Sequence, residues 1–286
     1  MHIRNPAGYF IVVVRAFNKV PLDYPAQIAL LRRRGMSFED PEMAAHQLAR
    51  INYYRLAAYW LPFQIDRKNH IFEPGTSFEK VLGLYEFDRE LRLIVLDAIE
   101  RIEVAIRARW AYELSHAYGP HAHLNKEIAL RSHYYWRNVR DLEDAVARSD
   151  ELFIAHMRTK YREDLPPLWA VCEVMSLGLL SRWYANLKPQ KVRTRIARPF
   201  GLSGQQLESW LHHLVIVRNV SAHHARLWNR EFTIVPSEPR KRPSRVALKW
   251  NPDSRRLYNT LLILLHLMDA VVPGNAWRER LQAHLG

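Results

Sequence analysis

A chain of 286 residues that is 48% hydrophobic and 25% charged has too much apolar material to be disordered, and it is long enough to bury a substantial core. Its single cysteine, Cys172, excludes an intrachain disulfide and a cysteine-based zinc cluster, and it suits a reducing, cytoplasmic compartment. A formal charge of +13 sets up a field that attracts polyanions, nucleic acid first among them, although an arginine-rich solvated surface carries the same charge.

Taken in order, residues 1–19 form an N-terminal extension with no assignable role. The apolar run Tyr9 to Val14 stops at Arg15 without a cleavage region and does not make a signal peptide. Tyr24-Pro25 opens a short helix that Gly35 closes after three arginines, and Asp40-Pro41-Glu42 starts a second. The aromatic segment from Ile51 to Phe63 reads as a packed core with Arg55 snorkelling from it; base stacking beside an arginine is the functional alternative. Gln64 to Phe72 is expected to form a small hairpin.

Thr76-Ser77-Phe78-Glu79 has the spacing of a capping box, and it precedes the longest periodic segment, which runs to about Ala117. Leu91, Ile94, Ala98, Ile102, Ala105 and Trp110 trace one face of it, while Asp97/Arg101 and Glu103/Arg107 are favourable pairs four apart. His121, His123 and the segment His133-Tyr134-Tyr135-Trp136 lack the spacing of a metal site, and no cofactor is expected. Arg137 to Asp164 reads as exposed helices, and Leu168 to Leu187 as one apolar helix with Cys172 as a core residue. In the basic stretch Lys188 to Arg198, Lys191, Arg193 and Arg195 form a candidate RNA track.

Ser203-Gly204-Gln205-Gln206 offers a second capping box. The apolar series Leu207, Leu211, Leu214, Val215 and Ala222 continues toward Trp228, so one helix is expected to carry the whole run from Arg218 through Arg230. On such a helix Asn219 and His223 are one turn apart, as are Arg226 and Arg230, and a polar ridge stands beside an apolar stripe. Phe232 to Val235 reads as a short strand and Pro236 to Arg245 as a basic loop. Leu257 to Val272 is a buried helix too short and too polar to span a bilayer, and Trp277 to Leu285 is an amphipathic tail. No linker or repeat divides residues 20–286, which are expected to form a single helical domain.

The string Arg218-Asn219-Val220-Ser221-Ala222-His223 has the Arg-x4-His form and resembles the nuclease signature of the HEPN superfamily. Continued through His224-Ala225-Arg226-Leu227-Trp228-Asn229-Arg230, it resembles the Abi-like family (AbiD/AbiF type) of abortive-infection proteins. Asn52-Tyr53-Tyr54-Arg55, Asp97 to Val104, Pro167-Leu168-Trp169 and Ser181-Arg182 add to that resemblance, which extends from about Lys19 to Asp269. It implies an all-α, elaborated HEPN-type bundle acting as a metal-independent endoribonuclease in phage defence. It also implies a homodimer that brings two motifs face to face, a cognate small regulatory RNA as a partner able to keep the enzyme silent, and no membrane. In such proteins a polar residue on an earlier helix faces the motif, and Glu100 and Glu103 are the candidates.

The chemistry of the residues suits RNA. The 2′-OH attacks the adjacent phosphate once a base takes its proton, and histidine, with an ordinary pKa of about 6.5, can act as base or acid. His223 is thus the acid/base candidate, Arg218 the phosphate stabiliser and Asn219 the orienting group, with Arg226 and Arg230 binding RNA or pairing with carboxylates. A non-catalytic RNA-binding scaffold using the same ridge is the alternative function, and a protein-interaction helical domain is the third.

Overall fold

The computed structural model describes residue 16, residues 18–239 and residues 246–286, together with the backbone of residues 2–4 and 10–12. Thirteen α-helices and two small antiparallel sheets make up the described residues, so the fold is an all-α bundle with minor β-hairpins. Internal contacts group the chain into two compact units, residues 1–85 and 86–286.

In the first unit, strands β1 (His2–Arg4) and β2 (Phe10–Val12) pair antiparallel with Ile3 opposite Ile11. Helix α1 (Tyr24–Arg33) is capped by Asp23, which accepts from Ala26 N at 2.8 Å, and it ends before Gly35 at φ +95°. Asp40 caps α2 (Pro41–Arg50), and Asn52 caps α3 (Tyr53–Trp60). Each cap oxygen satisfies an N–H that the helix itself leaves without a partner. Tyr59 and Trp60 are buried, and Trp60 meets Tyr53 and Phe72 edge-on at 4.9 and 6.3 Å, so the aromatic segment is core while Arg55 is exposed. The expected hairpin forms from β3 (Gln64–Asp66) and β4 (Ile71–Phe72), with Asp66 accepting from the backbone of Lys68 and Asn69 in the turn. Helix α4 (Phe78–Tyr118) begins in this unit, but its cap is Ser77, which accepts from Lys80 N at 3.1 Å. Thr76 does not serve as the cap because its hydroxyl donates to Glu73 O, and Glu79 accepts from Glu39 N and so does not close a box.

In the second unit the apolar face of α4 is the one expected: Leu91, Ile94, Ala98, Ile102 and Trp110 are buried. Around it lie α5 (Ser132–Ala147), α6 (Leu152–Lys160), α7 (Leu168–Val174), α8 (Leu177–Ala185) and α9 (Gln190–Ala197). The single helix expected over 168–187 is two helices. Ser176 caps α8 through Leu179 N, and Arg107 donates to the carbonyls of Glu173 and Met175 that the break exposes.

Helix α10 (Gly204–Ala222) begins with the full capping box, Ser203 Oγ accepting from Gln206 N and Gln206 Oε1 from Ser203 N. It packs on α8 and α9. After it, residues 232–235 are not a strand, because helix side chains and a neighbouring loop hold their backbone. His213 Nδ1 meets Ile234 O at 2.8 Å, Phe232 N donates to Arg255 O, and Arg255 donates to Thr233 O. The basic loop expected over 236–245 lies outside the described residues from 240 onward. Helices α11 (Val246–Lys249), α12 (Leu257–Val271) and α13 (Trp277–Leu285) complete the unit; His213 Nε2 contacts Thr260 Oγ1 on α12, and Trp277 donates to Ile94 O.

Candidate active site at the end of helix α10

The Arg218 motif occupies the end of α10 and the turn that follows it. The helix terminates at Ala222, so the expectation that one helix carries the run through Arg230 is corrected here. His223 is the C-cap, with its N–H donating to Asn219 O at 3.0 Å. His224 takes the left-handed conformation at φ +57°, His224 N donates to Ser221 O, and Ala225 N donates to Val220 O. This pair of bonds is the Schellman arrangement, which satisfies the last helix carbonyls and turns the chain away from the helix axis. Glycine usually fills the left-handed position, and histidine, though a less costly occupant than a branched residue, is still strained there.

A buried carboxylate holds the chain that leaves the turn. Asp88, on α4 and fully buried, accepts from Leu227 N at 3.1 Å and from Trp228 N at 2.6 Å, and it is ion-paired with Arg92 one turn later. Leu227 is itself fully buried, and Asn229 sits at φ +52°. Arg226 and Arg230 therefore lie on this pinned return segment and not on a helical ridge, where Arg230 donates to Arg226 O at 3.5 Å. In the sequence Asp88 and Arg92 have the spacing of an ordinary surface pair, and nothing local marks their burial.

Asn219 and His223 keep the one-turn relation expected of them, and both are exposed. Arg218 is half-buried, and its guanidinium lies 3.4 Å from Asn219 Oδ1. Ser221, within the same run, is buried with an unpartnered hydroxyl. Of the two carboxylate candidates, Glu100 is exposed and Glu103 is buried. Burial pushes the Glu103 carboxyl upward, while the positive charges of Arg107 and then Arg218 oppose the shift; Glu103 is ion-paired with Arg107. Glu103 thus interacts electrostatically with Arg218 of the motif.

The basic track divides. Arg193 is buried, ion-paired with Glu208 and laid over the Tyr184 ring at 5.4 Å, so it is removed from the set of surface cations. The reason is its position beneath the first turn of α10, where it also reaches Gly204 O at 3.4 Å. Arg195 is exposed but pairs with Glu113 at 3.0 Å, and Lys191 and Arg198 are exposed. Cys172 is buried and its thiol is pushed up to about 12 by desolvation first and then by Glu173, which keeps it from acting as a nucleophile. Among the described residues, no group of three or more His, Cys, Asp or Glu side chains could hold a metal ion, and no helix is long and apolar enough to cross a membrane.

The model of a family described as Abi-like protein matches residues 46–229, well over half of the chain. The chain belongs to the Abi-like family. The match includes Asp88, Glu103, Arg218, Asn219, His223 and Arg226, and it stops one residue short of Arg230. No curated protein and no solved structure matches the chain. Membership in the Abi-like family points to a role in abortive infection.

Proposed function

We propose that this Abi-like protein is a HEPN-type, metal-independent endoribonuclease acting in phage defence by abortive infection. The observation that carries the reading is the placement of the motif. Asn219 and His223 reach solvent together at the end of α10, with Arg218 against Asn219, while Leu227 and Trp228 are anchored at Asp88. In the reaction a base takes the 2′-OH proton, the 2′-oxygen attacks phosphorus, and the 5′-oxygen leaves with a proton from an acid. The products are a 2′,3′-cyclic phosphate and a 5′-hydroxyl. His223 serves as base or acid, Arg218 neutralises the charge that builds on the phosphate, and Asn219 orients the phosphate or the imidazole.

One motif supplies one histidine at the helix end, so the second proton carrier comes from the same motif of a second copy in a two-fold homodimer. Lys191, Arg195, Arg226 and Arg230 contribute to RNA attraction. A protein of this activity is cytoplasmic and is held silent until infection, with a cognate small RNA as the holding partner. The test is incubation of purified protein with mixed RNA in EDTA beside His223→Ala. Cleavage by the parent alone with cyclic phosphate ends is the expected result; bound but intact RNA in both samples, after removal of co-purified RNA, would instead leave a binding scaffold.

A further inference from the structure

A second feature of the 86–286 unit is a groove between α5, α8 and α10, made of two adjoining hollows of about 410 and 400 Å³ that share Arg182, Ala185 and Glu208. One hollow is floored by the α10 face that carries His212, and the other is walled by Tyr134, Arg137 and Asn138 of α5, with Arg131 just before it. Asn138 is 1% exposed; its Oδ1 accepts from Arg182 Nε at 3.3 Å, and its Nδ2 has no partner. A buried amide donor left over in a hollow wall is uncommon in folded proteins and gains from a ligand acceptor. Tyr134 is 42% exposed, with the Arg131 guanidinium 5.6 Å from its ring centre. Neither Arg131 nor Arg137 is ion-paired among the described residues, and no side chain caps the first turn of α5, so its N–H groups are available to an anion.

Cation, exposed ring and unsatisfied amide together suit one chemistry, an unpaired nucleotide. The base stacks on Tyr134, the Asn138 amide donates to an acceptor on the base edge, and Arg131 and Arg137 take the flanking phosphates. The groove also has a direction. His212 on α10 and His223 at its C-cap are eleven residues apart, about three turns, which sets them on nearly the same face and about 16 Å apart. Glu208 and Asn219 repeat that spacing. We infer that the α5/α8/α10 groove is a single-stranded RNA subsite that holds a nucleotide several positions from the phosphate at His223. The direction of the strand toward His223 rests on the nuclease reading, whereas the binding of the nucleotide does not.

The test uses the full chain carrying His223→Ala and a fluorescein-labelled 12-nucleotide oligoadenylate RNA, with affinity read by anisotropy at two salt concentrations. Tyr134→Ala and Arg137→Ala change exposed side chains, and melting curves verify that both variants fold. Each is expected to weaken binding about tenfold, the usual effect of losing one stacked base or a well-placed phosphate contact, and Arg137→Ala should lower the salt slope by about one. Affinities within twofold of the parent for both variants would overturn the subsite. So would displacement of the RNA by polyglutamate at equal charge concentration, which would make the groove a protein-docking surface. If the unmutated chain never cleaves RNA while Tyr134→Ala still loses binding, the nuclease reading fails and the subsite stands. Cleavage by the unmutated chain with unchanged binding in both variants gives the reverse.

Discussion

Asp88 is the point at which stability and the motif meet, and its replacement can be worked through from the structure. In Asp88→Ala two N–H groups, those of Leu227 and Trp228, lose their acceptor in a buried place, and Arg92, only 5% exposed, loses its carboxylate. Leaving one partner of a buried ion pair costs about 3–5 kcal/mol, and each orphaned buried N–H adds about 1–3 kcal/mol. Even the low end of that sum is about 5 kcal/mol, comparable to the whole stability of many domains. At about 2–4 °C per kcal/mol for a unit of this size, melting should fall by about 10–20 °C. Asp88→Asn retains an oxygen toward the two N–H groups and loses only the charge, so it should cost less, about 3 kcal/mol. Thermal unfolding by circular dichroism, with urea unfolding followed by tryptophan fluorescence, measures both. A loss under about 1 kcal/mol in Asp88→Ala would refute the clamp. Equal losses in the two variants would refute it as well, because they would assign the whole effect to Arg92.

Two other outcomes follow from the same geometry. His123 is 1% exposed with neither ring nitrogen partnered, and burial, with His121 beside it, pushes its pKa down to about 4. The unfolded chain therefore takes up a proton between about pH 6.5 and 4 that the folded chain refuses, so stability is full above about pH 6.5 and declines by up to about 3 kcal/mol on acidification. His123→Leu should flatten that decline in urea melts at pH 7.5 and 5, and an unchanged pH slope would count against it. His224→Gly should raise the melting temperature by a few degrees, because glycine takes the left-handed position without the roughly 1–2 kcal/mol that an L side chain costs there. A lower melting temperature would mean that contacts of the imidazole outweigh the strain.

Much of the bundle was legible because its signals are local. The Ser203/Gln206 capping box, the start of α2 at Asp40-Pro41-Glu42 and the apolar face of α4 depend on neighbours within four residues, and all appear where the spacing put them. The failures are places where a distant group wins. The box expected at Thr76 stays open because its Glu79 accepts from Glu39 N, 40 residues earlier. The apolar run over 168–187 broke at Ser176 with Arg107, from a helix 66 and 68 residues earlier, waiting at the freed carbonyls. Arg193 looks from sequence like its neighbours Lys191 and Arg195, and only the approach of α10 separates it from them.

The motif shows the same division within thirteen residues. Periodicity correctly placed Arg218, Asn219 and His223 on or against one helix, since their relations are set by α10 itself. It misplaced Arg226 and Arg230 because Leu214 and Trp228, 14 residues apart, fall on one helical face by spacing while serving two different segments. No glycine or proline marks the stop; His224 fills the left-handed position, and the cost of that choice is offset at Asp88, 136 residues earlier in the chain. The Arg-Asn-x-x-x-His part and the Leu-Trp part of the string therefore have separate physical jobs. The first presents exposed polar groups at a helix end, and the second fastens the return chain to the core so that the turn bearing His223 is held from both sides. A substitution confined to the first part should leave the melting temperature nearly unchanged while altering RNA chemistry, and one at Asp88 should do both.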